Sequence, residues 1–192
     1  MRWRRSGWAA ASPLCAVAAR LEKLPRRIVE ASLLEAPPQV RVLHLKDGDA
    51  VSEAQLFGAV FSAPLVSLRI NDRYLRSPHH EKRLRAYLQL ITPPPNGQTV
   101  VEIATLAAET QLSRPPCFQT STEQRQMAMR LQTACPQVAL RLRLEARLPH
   151  DRFLELTRVN GTQARIAIGA GLDFIQPNGR VRMTDILIED PY

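Results

Sequence analysis

The chain has 192 residues, of which 45% are hydrophobic and 5% aromatic, and a formal net charge of +8. That length suits one domain of ordinary size with an appendage. No run of about 18 apolar residues occurs, which excludes a helical membrane span, and the basic balance invites an anionic partner.

The charge is unevenly spread. Residues 1–41 hold eight basic and three acidic side chains, a net of +5, and the other 151 residues hold 18 basic and 15 acidic, a net of +3. Most of the excess therefore sits in a leader. It reads either as a solvated, arginine-rich surface or as an arm for a polyanion. Met1-Arg2-Trp3-Arg4-Arg5 and the alanines that follow loosely resemble a signal peptide, but Ser12 and Pro13 break the apolar stretch and Arg20 and Lys23 follow it. Residues 1–39 are expected as a basic leader, disordered or loosely helical. Residues 40–192 are expected as the folded domain. Cys15, Cys117 and Cys135 share no short spacing, and the four histidines complete no zinc pattern. The expectation is reduced thiols, no metal, no cofactor and a cytoplasmic protein.

In chain order, residues 40–45 read as a strand closed by the turn signal Asp47-Gly48. Ser52-Glu53-Ala54-Gln55 matches a capping box and opens a helix stopped by Pro64. Val66, Leu68 and Ile70 alternate with Ser67, Arg69 and Asn71, predicting a half-buried strand with the valine inside. Ser77-Pro78 places an N-cap and a first-turn proline, and Leu84, Tyr87, Leu88 and Ile91 follow at helical spacing. Lys82, Arg83 and Arg85 are expected on the outer side of that helix, and His79 and His80 are expected to be exposed. Residues 100–106 read as a third strand and residues 107–120 as a loop. Ser121-Thr122-Glu123-Gln124 is a second capping-box candidate, with Met127, Met129 and Leu131 as apolar contacts of its helix. Residues 138–148 alternate strictly, with Arg141, Arg143 and Arg147 on the outer face. Those arginines suit phosphates or a solvated face. Residues 153–159 and 163–168 read as a hairpin across Asn160-Gly161, a turn pair that tolerates positive φ at both central positions. A last strand covers residues 184–189. The alternation β-α-β-α-β-α-β predicts an α/β layered fold, a mixed sheet flanked by helices with a C-terminal hairpin.

The candidate site centres on His150-Asp151-Arg152, between two strands, together with Gly169, Gly171 and Asp173 downstream. Asp72 and Tyr74 follow another strand, where ligands gather in such sheets. Histidine can attack phosphorus and arginine can clamp phosphate. The same residues also suit a buried polar network in which Asp151 pairs with Arg152 or Arg76. There is no P-loop, dinucleotide fingerprint, nucleophile elbow or HExxH motif.

Ile70-Asn71-Asp72-Arg73-Tyr74-Leu75, Leu148-Pro149-His150-Asp151-Arg152 and Ile166-Ala167-Ile168-Gly169-Ala170-Gly171-Leu172-Asp173-Phe174, in that order, resemble the phospholipase D-like domain that follows MIT domains. The resemblance covers about residues 40–192 and implies a prokaryotic-type member without an MIT domain. It implies a phospholipase D-like fold whose His-x-Lys-x4-Asp motif is degenerate. His150 stands at the histidine, Arg152 at the lysine and Thr157 at the aspartate. Ala170 stands where a basic residue is common. The expected function is a non-catalytic binding or scaffold module, a homodimer whose partner is nucleic acid, a phospholipid head group or another protein, in a defence-type multi-protein system. The binding residues implied are Asp72, Tyr74, His150, Asp151, Arg152, Gly169, Gly171 and Asp173. The alternative is a phosphodiesterase or nuclease that uses His150 in a homodimeric site.

Overall fold

Strand pairing sets where every other element lies. A computed structural model describes residues 39–110, 118 and 120–191 of the chain. The leader, Cys15 and Cys117 lie outside them. The elements are β1 (Gln39–Leu45), α1 (Glu53–Phe57), β2 (Leu65–Asn71), α2 (Pro78–Gln89), β3 (Thr99–Leu106), a 3-10 turn (Ala108–Thr110), α3 (Ser121–Ala134), β4 (Val138–Glu145), β5 (Phe153–Arg158), β6 (Gln163–Ile168) and β7 (Thr184–Asp190). The strands form one seven-stranded mixed sheet in the order β1-β7-β6-β5-β2-β3-β4. β2, β3 and β4 are parallel, and the other neighbours are antiparallel.

The parallel half explains the layering. α2 joins β2 to β3 and α3 joins β3 to β4, and right-handed crossovers in one direction put both helices on one face. That face carries the core: Leu68, Ile70, Val101, Ile103, Leu154, Leu156, Ile166, Ile186 and Ile188 pack with Leu84, Tyr87, Leu88, Met127 and Leu131. The described helices thus flank the sheet on one side. No described helix covers its other side.

Several local expectations change. Val66 is 45% exposed, because a bulge between Leu65 and Ser67 shifts the alternation and sends Leu65 inward instead. β4 stops at Glu145, so Arg147 is outside the strand. Met129 is 69% exposed. Among non-glycine described residues no φ is positive, so only Gly161 (φ 85°) takes the left-handed conformation in the hairpin turn, not Asn160. The cap of α3 moves by one residue. Thr120 and Glu123 form its capping box. Gln124 is unavailable because its buried amide receives Ala108 N–H and donates to the carbonyls of Leu75 and Leu106. Arg83 is buried rather than outward, because its Nη1 donates to Glu53 Oε1 at 2.9 Å.

A second buried ion pair closes the far end of the hairpin. Arg158 donates to both oxygens of Asp190 at 3.0 and 2.8 Å and to the carbonyl of Val60 at 3.0 Å. Arg158→Ala leaves Asp190 charged in a dry interior. It is expected to lower unfolding free energy by about 3–5 kcal/mol in urea titration, whereas replacing both partners with apolar residues costs less.

Candidate functional site

The site sits where β2 ends and β5 begins. Two antiparallel neighbours bring these ends together: Asn71 is paired with Phe153. The Asn71 side-chain amide then donates to the Asp151 carbonyl at 2.5 Å and fixes the trio against β2.

Asp72 follows Asn71 and is 1% exposed. One carboxylate oxygen accepts the Tyr74 amide at 2.9 Å and the other accepts the Leu172 amide at 2.8 Å. Burial pushes its pKa up, and these two amides, with His80 and Arg152 nearby, pull it back down. Asp72 is thus a bracket between the β2 turn and the glycine segment. Gly171 lies inside the bracket. Its φ is +90°, and a Cβ there would come within 3.0 Å of Arg152 Cδ and 3.1 Å of Asp72 Oδ2. Gly169 contributes its carbonyl, which accepts from Arg152 Nη1 at 2.6 Å.

Around this bracket the cations gather. The guanidinium carbons of Arg76, Arg152 and Arg73 lie 5.3, 5.5 and 5.7 Å from the centre of the Tyr74 ring. Such contacts are attractive because the ring face is electron-rich. Arg182 completes the set by donating to the Ala170 carbonyl at 2.7 Å and to Asp173 Oδ1 at 2.9 Å. Asp72, Tyr74, Arg76, His80, Arg152, Ala170, Asp173 and Arg182 line a cleft of about 270 Å³.

Arg152 divides the trio. On its far side a second hollow of about 310 Å³ contains His150 and Asp151. His150 is exposed, and its Nε2 lies 2.7 Å from Arg73 Nη1. A guanidinium only donates, so Nε2 must accept, and the lone pair a nucleophile would use is engaged. Thr157 is on β5, paired with Ser67 and Gln163, and supplies no carboxylate. The bond from Asn71 goes to the backbone carbonyl of Asp151, whose side chain is exposed rather than buried in a polar network.

His80, expected outside, is buried and lines the cleft. Its Nδ1 lies 2.6 Å from Ser77 Oγ, and its Nε2 faces Asp173 Oδ2 at 3.8 Å. Burial lowers its pKa below the ordinary 6.5, while Asp173 and Asp72 raise it. His79 reaches the Ile175 carbonyl at 2.8 Å. Among the described residues no group of three His, Cys, Asp or Glu side chains is placed to hold a metal, and no helix is long and apolar enough to cross a membrane.

Residues 42–185 match the family model described as the C-terminal domain of the DEAD/DEAH box helicase YjiV. The chain belongs to that family. A crystal structure of phosphatidylserine synthase from Haemophilus influenzae Rd KW20 is similar at 18% identity and a TM-score of 0.48, over 80% of this chain and 35% of that one. The chain thus spans about a third of that structure's length. A comparison with curated proteins finds no match.

The sequence motifs point to Asp72, Tyr74, Arg152 and the glycine segment, which the fold does bring together. His150 and Asp151 line the second hollow instead, although the His150 ring lies 6.3 Å from the Tyr74 ring. Sequence reasoning missed Arg73, Arg76, His80 and Arg182. The first two flank Tyr74 in the motif itself, and His80 sits three residues after its N-cap Ser77. Arg182 carried no signal, because the loop bridge between Ile175 and Val181 brings it in.

Two outcomes follow from this geometry. Gly171→Ala forces a side chain into a left-handed backbone and against Arg152, and is expected to destabilise by about 2 kcal/mol or more in thermal or urea unfolding. The lowered pKa of His80 means that the unfolded chain takes up this proton first as pH falls below 6.5, so the stability contribution present above 6.5 declines in that window. His80→Gln is expected to flatten that part of a melting-temperature profile. Asp72, raised by burial, works in the opposite sense at lower pH, because there the folded state protonates first.

Proposed function

We propose that the chain is a phospholipase D-like accessory domain that holds nucleic-acid phosphate without cleaving it. The observation that carries this reading is the convergence of Arg73, Arg76 and Arg152 on Tyr74, with Arg182 at the rim of the same cleft. Guanidinium groups offer forked donors that match phosphate oxygens, and they are already held in place by the ring and by the Gly169 and Ala170 carbonyls. The name of its family refers to a helicase, which favours a nucleic-acid strand over a lipid head group.

The engaged lone pair of His150 and the threonine at position 157 argue against turnover. In this reading the motif resemblance reflects an inherited phosphoryl-transfer framework. A place in a defence-type multi-protein system belongs to the same proposal.

The test is binding and cleavage measured together. Single-stranded oligonucleotides are expected to bind with log K falling against log salt at a slope of about −3, as four phosphate contacts imply. Arg152→Ala should weaken binding for all sequences alike and reduce the slope by about 1. His150→Ala should leave binding in place. Oligonucleotide cleavage that His150→Ala abolishes would replace this reading with the phosphodiesterase. Retention on anionic vesicles but not on oligonucleotides would move the ligand to a lipid phosphate.

A further inference from the structure

The open face of the sheet carries an ordered charge pattern. Following the strand register from β4 towards β1, one row reads Arg141, Glu102, Arg69, Glu155, Arg165, Glu189. The sign alternates over these six strands, and Val40 follows on β1. Neighbours in the row pair, with Arg69 3.5 Å from Glu155 and 4.0 Å from Glu102, and Arg165 3.8 Å from Glu155. The adjacent row reads Arg143, Ala104, Asn71, Phe153, Ala167, Leu187, Val42 and is apolar from β5 to β1. Arg69 and Arg165 also lie 5.7 and 5.0 Å from the Phe153 ring centre and are held along the surface. Val40, Val42 and Val100 are exposed on this same face.

An alternating row of even length has a particular symmetry. Reversed end to end, it presents minus to plus at every position. A two-fold axis parallel to the strands, passing between Arg69 and Glu155, reverses the row against a second copy. Arg69 then faces Glu155 of the other copy, Glu102 faces Arg165, and Arg141 faces Glu189. An axis across the strands would set like charges together. In the adjacent row the same operation sets Ala104 against Ala167, Asn71 against Phe153 and Arg143 against Leu187 of the other copy.

We propose that this face is the interface of a homodimer in which two sheets pack face to face about such an axis. The occupant is a second copy of this chain, because the charge row is complementary to itself. Two identically twisted sheets pack aligned at about 10 Å, and the twist concentrates contact on the central quartet Glu102, Arg69, Glu155 and Arg165. With strands roughly 4.8 Å apart and same-face residues roughly 6.7 Å apart, the three central rows bury roughly 1,000–1,200 Å² in total, the lower edge of specific interfaces. An axis parallel to the strands also leaves both Tyr74 clefts at the same end of the dimer. The proposal does not depend on the anion reading of those clefts.

Charge reversal tests it on the full chain by sedimentation velocity at low ionic strength, with circular dichroism to check that each variant is folded. The wild type is expected to be dimeric. Arg69→Glu alone sets Glu against Glu155 at two symmetric places, and Glu155→Arg alone sets Arg against Arg69. Each should weaken self-association by roughly a hundredfold or more. Mixed together, the two variants face each other with opposite charges at both places and should form a heterodimer. Tyr74→Ala should leave the dimer unchanged. A monomeric wild type overturns the proposal, whatever other partner the face takes. So do single variants that remain dimeric, or a mixture that remains monomeric while both components are folded.

Discussion

The buried carboxylate of Asp72 holds the functional end of this domain together. It leaves β2 and accepts two backbone amides that are far apart in sequence, those of Tyr74 and Leu172. A carboxylate without such donors would be costly in a dry interior. With them it becomes a tie between a turn and a glycine segment. The requirement propagates outward. Leu172 can approach only if Gly171 takes a positive φ and leaves no side chain between Asp72 and Arg152. Arg152, lying along that glycine, reaches the Gly169 carbonyl and leans on Tyr74. One buried charge therefore orients the tyrosine, the glycine segment and the arginine between the two hollows.

Arginine does two different things in this fold. On the open sheet face each arginine of the central rows stands beside a glutamate, as Arg143 does with Glu102 and Glu145. Exposed pairs of this kind add little stability, but they remove like-charge repulsion across strands and fix side-chain directions. Beside Tyr74 the neighbours of Arg152 are an aromatic ring and a backbone carbonyl. These hold a guanidinium without neutralising it. Asp173 is the carboxylate on Arg182, and Asp72 is turned inward to the amides.

Much of the fold was legible because its signals are local. A period of two marked β2 and β4, Ser77-Pro78 marked α2, and Ser52 with Gln55 marked α1. What failed depended on distant partners. Val66 was read as inward because a bulge opposite β5 leaves no trace in alternation. Thr120 and Ser121 each stand three residues before a possible capping partner, and the choice was made by Gln124, whose amide was needed by the backbone of three other segments. His80 was misread because a histidine in a first helical turn is exposed unless another element covers it; here the glycine segment does. The site was half legible. Its motifs named the bracket, but Arg182 enters through a loop bridge that only the folded chain contains.

The strand order was the least legible feature, and the most consequential. Nothing in the sequence states that β5 returns beside β2, or that β7 lies between β6 and β1. Yet the alternation of charge exists only in that order. Arg69 and Glu155 are 86 positions apart and meet because β5 pairs with β2 in one register. A register slip of one residue would send Glu155 towards the core and Leu154 into water, which the burial of Leu154 and Leu156 forbids. The apolar face thus fixes the register, and the register in turn aligns the charges on the opposite face. The same pairing carries Arg152 to Tyr74, so the sheet face and the cleft are two consequences of one strand placement.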